Sequence, residues 1–159
     1  HQTTRMGLEF LEQVVEPGDN ELDLGCGSGI LSIAARLLGA KDAIAVDIDP
    51  IAEHIAYEHA ALNGIDPSHY HVFIGNILSD TALQQQIRGQ YPVVMANIVA
   101  DVIIALAPLA RTFCAPNGAF LVSGVIDERV EEVKAALAQN GFAVCTHSAS
   151  DGWNAFLCR

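Results

Sequence analysis

The chain has 159 residues, of which 51% are hydrophobic and only 17% are charged; this predicts one folded domain and excludes a disordered chain. Its 19 acidic and 8 basic residues give a net charge of −11, which disfavours direct nucleic-acid binding because such a field repels phosphates. The same negative field would attract a basic partner. Alternatively, the acidic residues only maintain solubility.

Short apolar runs alternate along the chain with segments of helical period. In chain order we predict a helix over 3–15, a strand over 21–24, a helix over 30–38, a strand over 43–46, a helix over 50–62, a strand over 70–74, a helix over 80–88, a strand over 93–96, a helix over 99–114, a strand over 119–123, a helix over 128–139, and strands over 142–148 and 154–158. Strands and helices that alternate with short connections predict a parallel sheet covered on both faces.

The last two strands have no helix between them and flank Asp151-Gly152, which predicts a hairpin. A plain dinucleotide-binding fold has no reason for such an antiparallel end, whereas the seven-stranded methyltransferase fold does. We therefore predict an α/β three-layer sandwich, with the Rossmann-like, seven-stranded class I fold of S-adenosylmethionine-dependent methyltransferases and a terminal antiparallel hairpin.

Cysteine spacing and the length of apolar runs argue against a metalloprotein and against a membrane protein. The four cysteines form no C-x-x-C pair and the six histidines form no metal-ligand grouping, so we expect no metal site. We interpret the cysteines as reduced thiols of a cytoplasmic protein. The most apolar stretch, residues 98–110, is shorter than the roughly 20 residues of a membrane span, and we expect no membrane partner.

A glycine loop, residues 25–29, follows the first strand and precedes a helix, where open α/β sheets bind ligands. Its glycines, Gly25, Gly27 and Gly29, are spaced Gly-x-Gly-x-Gly. A dinucleotide fingerprint would need a third glycine where Ile30 stands. Asp23, just before the loop, would repel a pyrophosphate but can pair, directly or through water, with the cationic amino-acid end of S-adenosylmethionine. The loop therefore predicts a site for that cofactor.

Two further strand ends supply candidate cofactor contacts. Asp47 ends the second strand, where an acid can accept both ribose hydroxyls, and Ile48 beside it joins the predicted pocket. Asn76 and Ile77 follow the third strand, where Asn76 could bond the adenine amino group while Ile77 covers the ring; equally, Asn76 could be only a turn residue. We interpret Asp49 as a helix cap before the next helix.

Asn97 is the candidate catalytic residue. It follows the buried apolar run of the fourth strand at the carboxyl edge of the predicted sheet, and so is placed to face the reacting methyl group. It also joins the predicted cofactor contacts. The alternative is that Asn97 caps the helix that begins near Val99.

Four segments carry a resemblance to a known family. They are His1-Gln2-Thr3-Thr4, Asp23-Leu24-Gly25-Cys26-Gly27-Ser28-Gly29-Ile30-Leu31, Val46-Asp47-Ile48-Asp49-Pro50 and Ala96-Asn97-Ile98-Val99-Ala100. Together they make the chain resemble the catalytic domain of the ribosomal protein L11 methyltransferases, the PrmA family, over nearly its whole length. The glycine loop is shared with many methyltransferases, whereas the first and last segments are more specific. Gly152-Trp153-Asn154 is a looser match.

The resemblance implies the contacts and the activity. It makes Thr4, Gly25, Asp47 and Asn97 cofactor contacts and puts His1 near the cofactor. It implies transfer of a methyl group from S-adenosylmethionine to amines or lysines of a basic ribosomal protein. The family's amino-terminal recognition domain is not in these 159 residues, so we expect a single catalytic domain over 1–159 that binds cofactor well and receives its protein substrate poorly.

Three other functions stay open. One is a methyltransferase for another protein lysine or for a small molecule. A second is a non-catalytic module with this fold, which the intact loop, Asp47 and Asn97 argue against. A third is a nicotinamide oxidoreductase, which Ile30 and the terminal hairpin disfavour. The segment after Asn97 lacks the Pro-Pro of glutamine and adenine methyltransferases.

Overall fold

Seven strands and six α-helices alternate in the computed structural model, which describes residues 1–159. In chain order they are α1 (Gln2–Val14), β1 (Asn20–Leu24), α2 (Ile30–Leu37), β2 (Asp42–Asp47), α3 (Ile51–Leu62), β3 (Tyr70–Ile74), α4 (Thr81–Gln86), β4 (Tyr91–Asn97), α5 (Ala100–Phe113), β5 (Cys114–Ile126), α6 (Val130–Gln139), β6 (Val144–Ser150) and β7 (Trp153–Cys158). Single 3₁₀ turns precede β3 and α6.

The strands form one sheet in the order β3-β2-β1-β4-β5-β7-β6. The first five strands are parallel, and β7 pairs antiparallel with both β5 and β6. The predicted fold and its antiparallel hairpin are therefore confirmed. Because the strand order reverses between β1 and β4, a crevice forms at the carboxyl ends of these strands, where ligands of such sheets bind.

Three helices cover each face of the sheet. On one face, α1, α2 and α3 bury two apolar clusters against the strands, while α4, α5 and α6 bury the largest cluster on the other. Strands covered on both faces need apolar side chains on both, and β4 shows this: Val93 and Met95 pack toward α1, whereas Val94 and Ala96 pack toward α5.

Several element boundaries differ from the predicted ones. The helix predicted over 80–88 is Thr81–Gln86, and the one predicted from 128 begins at Val130, because residues 127–129 form a 3₁₀ turn. The fifth strand extends from Cys114 to Ile126. Its start is early because Cys114 pairs with β4 before a register shift, and its end is late because pairing with β7 continues to Ile126. The sixth strand begins at Val144 rather than residue 142.

The hairpin turn agrees with the sequence in detail. Asp151 and Gly152 have φ of 52° and 83°, the positive values that a two-residue turn matched to strand twist requires. None of the helices has the length and apolar character needed to cross a membrane.

Candidate functional site

A pocket of about 340 Å³ lies at the carboxyl ends of β1, β2 and β3 and is largely apolar. Six of the predicted site residues line it: Gly25, Gly27, Asp47, Ile48, Asn76 and Ile77. The residues that the sequence reasoning missed are Leu24, Val46, Gly75, Leu78, Ile98, Val102 and Leu106. A cavity of about 450 Å³ lies between α4 and the end of α5, at the opposite edge of the sheet, but its lining is mainly polar.

Hydrogen bonds to the next strand hold the glycine loop in place. The amides of Gly25 and Cys26 both donate to the Val46 carbonyl oxygen, at 2.7 and 3.0 Å. Gly25 has φ of +84°, and a Cβ there would lie 2.6 Å from the Ile98 side chain. Gly27 has φ of +53°, with open space where a Cβ would point. The loop therefore leaves room for a ligand at Gly27.

Asp47 connects the second strand to this loop. Its Oδ2 accepts a hydrogen bond from the Gly27 amide at 2.7 Å, and its Oδ1 accepts one from the Asp49 amide at 2.9 Å. Two amide donors fix the orientation of the carboxylate, while half-burial leaves it accessible from the pocket. Asp49 in turn accepts from the Ile51 amide at 3.1 Å, and it lies one residue before the N-cap position of α3, which Pro50 occupies.

Asp23 lies beneath the loop rather than on the pocket wall. Its carboxyl group is 1% exposed, and Glu21, two residues earlier on the same face of β1, is 0% exposed. Neither carboxyl group has a hydrogen-bond partner. Ser32 is close enough to Asp23 to favour its ionised form, but the Ser32 hydroxyl gives its hydrogen to the Gly29 carbonyl oxygen.

Burial changes the charge of both acids. It raises the pKa of Asp23 to about 7, and the nearby charge of Asp47 adds to the rise. Burial, and then the neighbouring Asp23, hold the pKa of Glu21 well above its usual range. Asp23 therefore changes charge close to the physiological range, and Glu21 keeps its proton to a higher pH than an exposed glutamate would.

Asn76 is a turn residue that also lines the pocket. Its Oδ1 accepts from the Leu78 amide at 3.1 Å, and its backbone carbonyl accepts from the amides of Ser79 and Asp80. Ile77 beside it is 8% exposed and closes the pocket floor. The interpretation of Asn76 as a turn residue is therefore confirmed. Its side-chain amide nitrogen is not used by the turn, and its contact with adenine stays a prediction.

Asn97 ends β4 on the side of the loop that faces β5. A Cβ at Gly124 would lie 3.2 Å from its Oδ1, which places the amide oxygen beside the carboxyl end of β5. The helix cap of α5 is Val99, with no side-chain hydrogen bond. The interpretation of Asn97 as that cap is therefore wrong.

The amino-terminal residues lie at the same edge of the sheet but outside the pocket. Thr4 is in the first turn of α1, half-buried, and Gln2 bonds Asp151 in the hairpin turn at 2.9 Å. The His1 ring contacts the Trp153 ring edge-on, with centroids 5.3 Å apart. No three His, Cys, Asp or Glu side chains converge as a metal-binding group.

The spacing of apolar residues in and before α5 could have predicted the pocket wall on that side. Val102 and Leu106 are spaced four residues apart on α5, the spacing that places side chains on one helical face, and Ile98 joins them from the segment just before the helix. These three side chains line the same pocket as Asp47.

Comparison with known proteins decides the family. The model of the family described as ribosomal protein L11 methyltransferase (PrmA) matches residues 1–159. The chain belongs to the PrmA family. Relatives named ribosomal protein L11 methyltransferase include those of Pelotomaculum thermopropionicum, 41% identical, and Heliobacterium modesticaldum, 42% identical, each over 159 residues. The alignments cover 100% of this chain but 49% and 48% of those relatives, so the PrmA-family chain spans about half their length.

Solved structures agree with the family. The ribosomal protein L11 methylase of Lactobacillus delbrueckii subsp. bulgaricus superposes with a TM-score of 0.90 at 31% identity, covering 100% of this chain and 79% of that one. An RNA methyltransferase from Salinibacter ruber, in complex with S-adenosyl-L-homocysteine, shares the fold with a TM-score of 0.72 at 18% identity, covering 98% of this chain and 88% of that one. The PrmA-family chain therefore has the methyltransferase fold predicted for it.

Proposed function

We propose that this chain is the catalytic domain of an S-adenosylmethionine-dependent N-methyltransferase that acts on amines or lysines of ribosomal protein L11. The observation that carries the proposal is the joint geometry of Gly27 and Asp47. An open backbone position and an oriented, accessible carboxylate meet at the mouth of an apolar pocket. The family match over the whole chain supports the same activity.

The residues present fit the proposed cofactor. Asp47 would accept the ribose hydroxyls, Asn76 and Ile77 would hold the adenine with Ile48 opposite, and the loop at Gly25 and Gly27 would pass close to the amino-acid end. When bound, S-adenosylmethionine supplies a methyl group on a positively charged sulfur. A neutral thioether leaves, so the protein needs no acid for the leaving group.

The other role of the chain is to align the incoming amine with the methyl group. Asn97 stands beside the carboxyl end of β5, where its amide oxygen can accept a hydrogen bond from the incoming amine and orient the nitrogen lone pair. The amine reacts only when it has lost its proton. The apolar wall excludes water and so favours the neutral amine.

We propose a basic protein, rather than a nucleic acid, as the partner. The net charge of −11 favours encounter with a lysine-rich surface and repels phosphates. The named relatives are L11 methyltransferases about twice as long. Transfer to another protein lysine or to a small molecule stays the alternative that a substrate assay decides.

Calorimetry with S-adenosylhomocysteine and NAD tests the cofactor assignment. We expect the chain to bind S-adenosylhomocysteine and not NAD. Gly27→Val should abolish binding, because a branched side chain would occupy the open space at a positive φ. The matched control is Gly64→Val, since Gly64 also has a positive φ, +69°, and open space, but lies at the end of α3. NAD binding, or full binding by Gly27→Val, would contradict the proposal.

Transfer of a radiolabelled methyl group to purified ribosomal protein L11 tests the substrate. We expect label in L11 and none in Asn97→Ala reactions. Label in another basic protein but not in L11 would keep the cofactor assignment and overturn the substrate.

A further inference from the structure

A buried line of hydroxyl groups runs beneath the glycine loop. Tyr70, the first residue of β3, is 0% exposed, and its hydroxyl lies 2.8 Å from the Ser32 hydroxyl of α2. The Ser32 hydroxyl lies 3.0 Å from the Gly29 carbonyl oxygen. A side chain on the third strand therefore reaches the turn that ends the loop.

The direction of the hydrogen bonds follows from the donors available. A carbonyl oxygen only accepts, so the Ser32 hydroxyl must donate to Gly29. Its single hydrogen is then used, and the Tyr70 hydroxyl must donate to Ser32. The line runs Tyr70 to Ser32 to the Gly29 carbonyl. Hydrogen bonds in such a chain polarise and strengthen one another.

Tyr70 also sets how closely the loop can approach the sheet. A Cβ at Gly29 would lie 2.7 Å from the Tyr70 oxygen, so the hydroxyl touches the underside of the turn. Gly29 has φ of +83° and begins α2 as its cap, without any side-chain hydrogen bond of its own. The carbonyl that Ser32 bonds is also the first acceptor of α2, from the Ile33 amide at 2.9 Å.

We propose that Tyr70 is a positioning residue of the cofactor site, acting through Ser32 on the turn at Gly29. The inference rests on the proposed function. Tyr70 does not line the pocket. It fixes the position of the glycine loop relative to the sheet at Gly29, while the hydrogen bond from the Gly27 amide to Asp47 holds the middle of the loop. Without the Tyr70 hydroxyl, Ser32 loses a hydrogen-bond donor and the turn at Gly29 can move closer to the sheet.

A second tyrosine in the same cluster provides a matched control. The Tyr57 ring packs edge-on against the Tyr70 ring, with centroids 6.0 Å apart. Its hydroxyl accepts a hydrogen bond from the Val72 amide at 2.9 Å, so it anchors α3 to β3 and does not reach the loop. Tyr70→Phe and Tyr57→Phe each remove one hydrogen-bonded hydroxyl from one cluster, and only the first breaks the line to Gly29.

The experiment measures S-adenosylhomocysteine binding and thermal unfolding for both variants. We expect similar losses of Tm, with binding weakened about fivefold in Tyr70→Phe, as for one lost hydrogen bond, and unchanged in Tyr57→Phe. Ser32→Ala should show the same fivefold loss and carries the test if Tyr70→Phe does not fold. In methyl transfer, the KM for S-adenosylmethionine should rise by the same factor while kcat is unchanged, since Asn97 is not touched.

A double-mutant cycle tests the route through Ser32. If Tyr70 acts only through Ser32, Ser32→Ala with Tyr70→Phe should bind about as well as either single variant. Equal binding by Tyr70→Phe and Tyr57→Phe would overturn the inference while leaving the proposed function intact. If the fold losses of affinity in the two single variants multiply in the double variant, Tyr70 does not act through Ser32. Absence of binding by the unaltered chain would overturn both the inference and the proposed function.

Discussion

Asp23 and Asp47 flank the same glycine loop on neighbouring strands, yet their carboxyl groups lie in opposite surroundings. Asp47 is half-buried and accepts two backbone hydrogen bonds. Asp23 is 1% exposed, has no partner and shares its face of β1 with the buried Glu21. One carboxyl group is therefore oriented and accessible from the pocket, whereas the other is buried without a partner and destabilises the fold. Residue type and nearness to the loop do not by themselves define a ligand contact.

Removal of the accessible carboxylate should have the largest effect of the four changes below. Asp47→Ala is expected to weaken S-adenosylhomocysteine binding by about 1.5–3 kcal/mol, the scale of charge-assisted hydrogen bonds. Calorimetry measures the loss. Asp49→Ala is the control, because the Asp49 side chain bonds the Ile51 amide at the start of α3 and does not line the pocket. Equal affinity in Asp47→Ala and the unaltered chain would remove the ribose assignment and with it the contrast between the two acids.

Removal of the buried Glu21 carboxyl group, which lies on the same face of β1 as Asp23, should stabilise the protein. Glu21→Met is expected to raise the free energy of unfolding at pH 8 by about 1–3 kcal/mol, because it deletes a buried polar group without a partner. Urea unfolding measures it. Leu22→Met, on the opposite face of β1, changes volume little and should cost less than about 1.5 kcal/mol. Destabilisation by Glu21→Met would show that Glu21 has a favourable partner.

The same acids predict a pH dependence of stability. Between the unfolded and folded pKa of a raised carboxyl group, the folded state keeps a proton that the unfolded state has lost, so the free energy of unfolding falls as pH rises. For Asp23 this window runs from 3.8 to about 7. The slope is at most about 1.4 kcal/mol per pH unit for each proton.

Urea unfolding between pH 5 and pH 8 measures this slope. We expect stability to fall across the range in the unaltered chain and to fall less steeply in Glu21→Met, which has one raised carboxyl group fewer. Parallel curves would contradict the assignment of a raised pKa to Glu21.

The smallest effect is expected for Asp23→Asn at pH 6. There Asp23 is mainly protonated, so the substitution exchanges one neutral group for another, and binding of S-adenosylhomocysteine should change by less than about twofold, or 0.4 kcal/mol. At pH 8.5 the ionised Asp23 favours the cationic end of the ligand, and the unaltered chain should bind more tightly than the variant. An equal loss at both pH values would show that Asp23 is not acting through its charge.

Much of the fold could be predicted because its signals are local. Alternating apolar runs, Asp151-Gly152 at the hairpin and Pro50 before α3 each depend on a few neighbouring residues. Boundaries were less predictable. The helix predicted over 128–139 begins only at Val130, since pairing of β5 with β7 continues to Ile126 and the three residues that follow form a 3₁₀ turn.

The candidate site shows the same division. Glycine spacing and the acid at Asp47 pointed to the pocket that the structure contains, because parallel strands bring their carboxyl ends to one edge. Thr4, Asp23, Gly29 and Asn97 were predicted with them, yet they lie around or beneath this pocket rather than on its wall. Their contacts with the cofactor stay predictions.

The sequence by itself determined the order of the elements, the glycine loop and the antiparallel end of the sheet, since each depends on backbone preferences and periodicity within a short window. Only the tertiary structure decided that Glu21 is buried, because alternating Glu-Leu-Asp-Leu would suit a strand with one face in water and α2 covers that face instead. It also decided that Tyr70 meets Ser32, 38 residues apart in the chain. Burial and long-range contact are set by which elements pack together, and no local pattern contains that information.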